Sequence, residues 1–290
     1  MKDIGGVVLD LKKIAVLGAG IMGAGIAQAA AQAGYSVILR DLQMSLVKGG
    51  LETIEKNLDK ESAKGLLHED KNVIMSRING NTDLAQLKDV DLLIEAVVEN
   101  IAVKKQIFAE LDNICADYTV LASNTSSLSI TEIAASTKRH EKVLGMHFFN
   151  PVSSMKLVEL VKGMETADKT IEIARGFVRQ LGKKEVVVER ESPGFIVNRI
   201  LVPYLNEAIF TYGDGIAGIE EIDLAMRLGA GMPIGPLQLA DIIGLDTLYS
   251  ATLVFYDEFK DPKYRPHTLF STMIRAGYLG KKSGQGFYKY

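Results

Sequence analysis

His147 closes an apolar run, Gly145-Met146-His147-Phe148-Phe149-Asn150-Pro151, and Glu159 stands inside another, Leu157-Val158-Glu159-Leu160-Val161. A carboxylate in such a run is costly unless something pairs with it, and His147 is a candidate partner. Such a pair suits the oxidation of an alcohol, whose hydroxyl must lose a proton while its carbon loses a hydride. An imidazole titrating near neutrality takes that proton and returns it in the reverse direction. A carboxylate on the other ring nitrogen fixes the tautomer and stabilises the imidazolium. The spacing also admits a satisfied core histidine and an unrelated buried glutamate, and the residues alone leave both open.

A second constellation is Gly18-Ala19-Gly20-Ile21-Met22-Gly23, a G-x-G-x-x-G element. Glycine-rich hexapeptides arise by chance, but an apolar strand (Lys13–Leu17) precedes this one, an Ala-rich helix (Met22–Ala33) follows it, and Asp41 closes the next strand. Gly18 permits the tight turn, Gly20 lets backbone approach a pyrophosphate, and Gly23 lets helix pack on strand. The helix N-terminus offers N–H groups and a positive dipole end to phosphates. Asp41 suits ribose hydroxyls and repels a 2′-phosphate, which favours NAD over NADP. Arg40 dissents, because turned toward the ribose it would admit NADP.

The elements that must carry these residues alternate. After Tyr35–Leu39 comes a polar helix, roughly Ser45–Lys64. Asp91–Val98, Thr119–Ser123, Val143–Phe148, Lys156–Val161 and Glu185–Glu189 read as further strands, with helices at Ile101–Cys115 and Lys169–Leu181. The first strand–helix–strand unit predicts parallel strands, and the alternation predicts an α/β, Rossmann-type doubly wound domain over residues 1–191. Past Ser192-Pro193-Gly194 no convincing strand follows. Phe195–Tyr212, Ile219–Leu228, Pro236–Ile243, Asp246–Phe259 and His267–Ala276 predict an all-helical domain over 192–290 for dimerisation and substrate. Several of these helices are apolar on more than one face (Ile200, Leu201, Leu205, Ile209). So short a domain cannot bury all of that, and we expect a homodimer.

Composition narrows the partners. Of 290 residues, 47% are hydrophobic and 24% charged, with a net charge of -3; this gives no reason to expect nucleic acid or an anionic membrane surface. An anionic ligand held by local lysines stays compatible with it. Cys115, the single cysteine, reads as a buried structural thiol, and the four histidines have no metal-ligand spacing. Asp3 and Asp10 interrupt any signal-peptide core, and no run is long and apolar enough to span a bilayer. A cytoplasmic protein is expected.

From Lys12 to Tyr290 the chain resembles the L-3-hydroxyacyl-CoA dehydrogenases, and within them the bacterial 3-hydroxybutyryl-CoA dehydrogenases most closely. The motifs that carry the resemblance are Val16-Leu-Gly-Ala-Gly-Ile-Met-Gly23, Glu95-Ala-Val-Val-Glu-Asn100, Ala122-Ser-Asn-Thr-Ser-Ser-Leu128, His147-Phe-Phe-Asn-Pro151, Ser192-Pro-Gly-Phe-Ile-Val-Asn-Arg199 and Gly280-Lys-Lys-Ser-Gly-Gln-Gly-Phe-Tyr288. The resemblance implies an NAD-dependent enzyme on short L-3-hydroxyacyl-CoA, such as 3-hydroxybutyryl-CoA, with acetoacetyl-CoA as the keto partner. It implies His147 as base, Glu159 as its partner, Ser126 beside the reacting oxygen and the nicotinamide, and Asn198 polarising the substrate. Asp41 then holds the ribose, Glu99, Lys104 and Asn150 line the NAD site, and Lys282 reaches the cofactor. For CoA it implies Lys64, with Asn57 where the family has a serine; Lys56 and Lys60 share that helix. Ser153-Ser154 replace bulkier residues and bear on the acyl pocket, while Met1–Leu11 match nothing. Two other readings stay open: a related dehydrogenase of a non-CoA hydroxy acid, and a catalytically silent dinucleotide-binding protein.

Overall fold

Short β-branched and aliphatic runs form strands buried from both faces, as a parallel sheet covered by helices requires. In the computed structural model, which describes residues 11–290, the chain divides into two compact units, one ending at Glu191 and the other beginning at Ser192. The extension ahead of the first strand lies almost wholly outside the described residues.

The first unit runs β1 (Lys13–Leu17), α1 (Ile21–Gln32), β2 (Ser36–Arg40), α2 (Met44–Ala63), α3 (Lys71–Ser76), β3 (Ile78–Asn81), β4 (Leu92–Glu95), α4 (Ile101–Ile114), β5 (Val120–Ser123), α5 (Ile130–Ala134), β6 (Val143–Phe148), β7 (Leu157–Lys162), α6 (Asp168–Gln180) and β8 (Lys184–Val188). The eight strands lie in the order β3-β2-β1-β4-β5-β6-β7-β8. The chain steps outward from β1 through β2 to β3, then returns to place β4 on the other side of β1. That reversal makes a topological switch point, and the crevice above the carboxyl ends of β1 and β4 is where such sheets bind ligands.

Two features depart from the sequence reading. The first is β3 with α3, which the pattern did not announce, because Ile78-Asn-Gly-Asn81 is a polar edge strand with no apolar run to signal it. The second is direction. All neighbouring strands pair in parallel except β6 and β7, which are antiparallel. The link between those two is too short for the crossover that a parallel pair needs.

The second unit is helical: α7 (Val197–Gly213), α8 (Ile219–Gly229), α9 (Pro236–Ile243), α10 (Leu245–Phe259) and α11 (Thr268–Arg275). Val202, Leu205, Ile209, Leu237, Leu248, Phe255 and Phe270 form its core. Two buried aspartates organise it. Asp223 accepts from the Leu237 and Gln238 amides at 2.8 and 2.9 Å, which caps the start of α9, and from the Tyr288 hydroxyl at 2.9 Å. Asp241 accepts from the Phe287 and Tyr288 amides at 2.9 and 2.8 Å, which fastens the last strand-like turn of the chain. Ile200, Ile216, Leu224, Leu228 and Ile242 of this unit stay exposed. Among the described residues no single helix is long and apolar enough to cross a membrane.

Candidate active site and cofactor cleft

The glycine turn joins β1 to α1. Gly18 has φ of 101°, a left-handed conformation, and a Cβ there would meet the Ala96 carbonyl oxygen at 2.5 Å. A Cβ at Gly23 would collide with the Gly18 carbonyl, so helix and turn close on each other only without it. At Gly20 a Cβ would stand in open space, at the residue that precedes the first turn of α1. No side chain caps that helix start, so its first N–H groups face outward for an incoming anion. Asp41 braces the turn. One carboxylate oxygen accepts from the Ala19 amide at 2.7 Å and the other from the Leu42 amide at 2.6 Å.

Beside the turn opens a cleft of about 610 Å³. Gly18, Ala19, Gly20 and Asp41 form one side of it, and Leu42, Val97, Val98, Val103 and Ile107 give it apolar walls. The sequence marks Val97, Val98, Val103 and Ile107 only as parts of a strand, a motif and an apolar helix face, not as walls of a cleft, and Leu42 not at all; in the structure Leu42 is 76% and Val98 66% exposed. Arg40 also lines the cleft, and its Nε donates to the Thr82 carbonyl at 3.1 Å. Helix-start amides without a side-chain cap, a carboxylate and an apolar slot together fit a dinucleotide. Of the other residues expected to touch it, Ile21 is 74% exposed and Asn150 is exposed, while Met22 is half-buried.

His147 and Glu159 face each other directly in the antiparallel register of β6 and β7. Residues opposite one another in such a pair point to the same side of the sheet. The outcome is a bond of 2.6 Å between His147 Nδ1 and Glu159 Oε2, with His147 6% exposed and Glu159 fully buried. The Phe149 ring lies against the imidazole with centroids 4.5 Å apart. Asn124, just beyond β5, accepts from the Phe148 amide at 2.9 Å and so ties the end of β5 to the strand that carries His147.

A third cluster lies at the carboxyl ends of β4 and β5. Glu95, fully buried at the end of β4, accepts from Lys104 Nζ at 2.6 Å, the Val97 amide at 2.7 Å and the Ser123 hydroxyl at 2.7 Å. Lys104 Nζ also reaches Glu99 at 3.4 Å. Glu99 in turn gathers the Thr125 hydroxyl and the Ser126 amide, the latter at 3.0 Å, and sits 3.4 Å from Ser126 Oγ. The Lys104 side chain is only 1% exposed and lies between the two carboxylates. Glu95 carries the same signal as Glu159, a carboxylate in an apolar strand, and was not singled out by it.

The residues expected at CoA sit on α2. Lys64 is its exposed C-cap and Asn57 is half-buried, one turn from exposed Lys60 on the same face and next in sequence to exposed Lys56. That helix also shows Glu55 and Asp59, which hold Lys71 at 3.3 and 2.6 Å, so its charge is mixed. In the second unit, Asn198 lies in the first turn of α7, half-buried. The neighbouring Arg199 lies over the Phe259 ring at 3.7 Å, which anchors that turn. Lys282 donates to Asp246 at 2.7 Å. Cys115 is buried at the end of α4; burial, opposed by the charge of Arg139, pushes its thiol up to about 11.

A doubly wound sheet with a glycine turn, an acid just beyond its second strand and a histidine–glutamate pair at its carboxyl edge has the fold of the dinucleotide-dependent oxidoreductases. Residues 13–192 match the NAD-binding domain of 3-hydroxyacyl-CoA dehydrogenase, and residues 194–290 match the C-terminal domain of that enzyme. The chain belongs to the 3-hydroxyacyl-CoA dehydrogenase family. It is 49% identical to the 3-hydroxybutyryl-CoA dehydrogenase of Clostridioides difficile, over 96% of this chain and 99% of that one. It is 44% identical to the mitochondrial hydroxyacyl-coenzyme A dehydrogenase of Homo sapiens, over 97% of this chain and 91% of the relative. The crystal structure of (S)-3-hydroxybutyryl-CoA dehydrogenase from Ralstonia eutropha superposes with a TM-score of 0.93 at 47% identity, covering 97% of this chain and 99% of that one.

Proposed function

We propose that this chain interconverts short-chain L-3-hydroxyacyl-CoA and 3-ketoacyl-CoA, with 3-hydroxybutyryl-CoA and acetoacetyl-CoA as the preferred pair and NAD as the cofactor. The observation that carries the reading is the 2.6 Å bond between His147 Nδ1 and Glu159 at the carboxyl end of the sheet. With Nδ1 committed to a carboxylate, Nε2 is the nitrogen that exchanges a proton with substrate. In the oxidative direction Nε2 accepts the hydroxyl proton, and a bound NAD would accept the carbon's hydride. Glu159 stabilises the imidazolium so formed. In the reductive direction Nε2 returns the proton to the oxygen. Bound NAD supplies the hydride acceptor, and NADH the donor.

Ser126 holds the reacting oxygen, presented by the loop that Glu99 gathers, and Asn198 adds a second polar contact to the substrate. Gly18 to Gly23 hold the pyrophosphate and Asp41 the ribose. Glu99, Lys104 and Asn150 line the NAD site, and Lys282 reaches the cofactor. Lys64 and Asn57 take the CoA moiety. The exposed aliphatic side chains of the second unit support a homodimer.

The test is consumption of NADH with acetoacetyl-CoA, set beside free 3-keto acids. We expect turnover with the thioester, and His147→Gln to lower kcat by about a hundredfold or more. Wild-type rates in that variant would remove the proposed base. Comparable turnover of the free acids would move the substrate class to non-CoA hydroxy acids.

A further inference from the structure

The strand that carries His147 is followed by a turn, Asn150 to Met155, in which the Ser154 and Met155 amides donate back to the Pro151 carbonyl at 3.1 and 3.0 Å. This turn is fastened from two sides. Below it, Val152 is 4% exposed and packs on α1 at Gly25, where a Cβ would approach the valine to 3.0 Å. From the start of β8 comes Lys183, 8% exposed, whose Nζ donates to the Val152 carbonyl at 2.5 Å and the Met155 carbonyl at 2.7 Å. No carboxylate lies within ion-pair distance of this ammonium among the described residues, and burial lowers its pKa from the ordinary lysine value. Burying such a charge costs more than an apolar residue at the same place would. The backbone link between Lys184 and Lys156, at 2.7 Å, already joins β8 to β7, so the ladder does not need it. What the ammonium adds is a hold on two carbonyls at opposite ends of one turn.

We propose that Lys183 is a positioning residue that locks the Asn150–Met155 turn against α1, directly after the strand that carries His147, and thereby sets the depth of the acyl site. The turn carries Ser153 and Ser154 at its exposed tip, directly after the strand that bears the base. An ordered tip limits the room for an acyl chain; a loosened one admits longer chains and places the short one less well. The inference rests on the thioester dehydrogenase reading above.

The test compares wild type with Lys183→Met, Lys183→Gln and Lys183→Arg in the full chain. One arm measures kcat/KM for acetoacetyl-CoA and for 3-ketooctanoyl-CoA with NADH. The other measures hydrogen–deuterium exchange over residues 150–156 without ligand. We expect Lys183→Met to lower the preference for the short substrate about tenfold, with the change in KM, and to speed exchange in that segment. Lys183→Arg, which keeps a donor fork, recovers most of both effects, and Lys183→Gln falls between. If the methionine variant is too unstable to purify, the glutamine and arginine variants decide on the same two readings. An unchanged substrate ratio with unchanged exchange overturns the role of Lys183 while leaving the dehydrogenase reading intact. A wild type inert toward every thioester overturns that reading and the acyl-depth claim together, and the exchange arm still decides the tether.

Discussion

Glu95 and Glu159 each interrupt an apolar strand, and each is fully buried with a cation or imidazole within 2.6 Å. Isolated carboxylates cannot be held in such places, so their presence in the sequence already implies a partner elsewhere in the chain. Lys104→Met removes the partner of Glu95 and strands its charge. We expect a loss of about 3–5 kcal/mol in stability, read as a fall in Tm, most of which returns when Glu95→Gln is added. Cys115 gives a prediction in pH. Its folded thiol is raised from 9.0 to about 11, mainly by burial. The folded chain therefore keeps a proton that the unfolded chain gives up first. Its contribution to stability is complete below 9.0 and disappears as the pH rises through about 11. The Tm profile of Cys115→Ala should be flatter than that of wild type over this interval and parallel to it below. At this scale the sequence showed polarity in the wrong surroundings but not orientation. Lys183 and Lys184 are adjacent and chemically identical, yet one is buried and the other exposed. Nothing local distinguishes them, because the choice is made by a turn of chain near residue 152.

The elements were legible where a period or a buried run marked them. β1, β2, β5 and β6 are short aliphatic segments, and the pattern placed them within a residue of their observed ends; β4 stops at Glu95, three residues short of the apolar run that marked it. β3, α3 and α5 escaped, the first because an edge strand is polar and the helices because six and five residues are too few to show a period. The antiparallel direction of β7 escaped too, although the brevity of the link ahead of it was there to be read. Caps were legible only in part. Asp223 lies in a helix that reads as amphipathic, and its role in capping α9 depends on tertiary approach. Asp223→Ala leaves two helix-start amides and the Tyr288 hydroxyl without their acceptor. We expect it to cost about 2 kcal/mol and to raise amide exchange at Leu237 and Gln238 before any other part of the second unit.

For the whole molecule, the change of pattern at Ser192 marks the change from sheet to helices, and the two compact units divide there as well. Assembly belongs to this scale. Ile200 at 67% and Leu228 at 76% are large exposed aliphatics on a unit of modest size. We expect sedimentation to give a species of twice 31.6 kDa, and Ile200→Glu to shift it toward the single chain without loss of helical content.

The facing of His147 and Glu159 across an antiparallel ladder separates two properties that enzymes often entangle. Which residue opposes the imidazole is written in backbone pairing and does not depend on the residues at the exposed tip of the segment that joins the two strands. Side chains at Ser153 and Ser154 can therefore be exchanged, with the buried Val152 and its lysine tether kept, without re-siting the proton carrier.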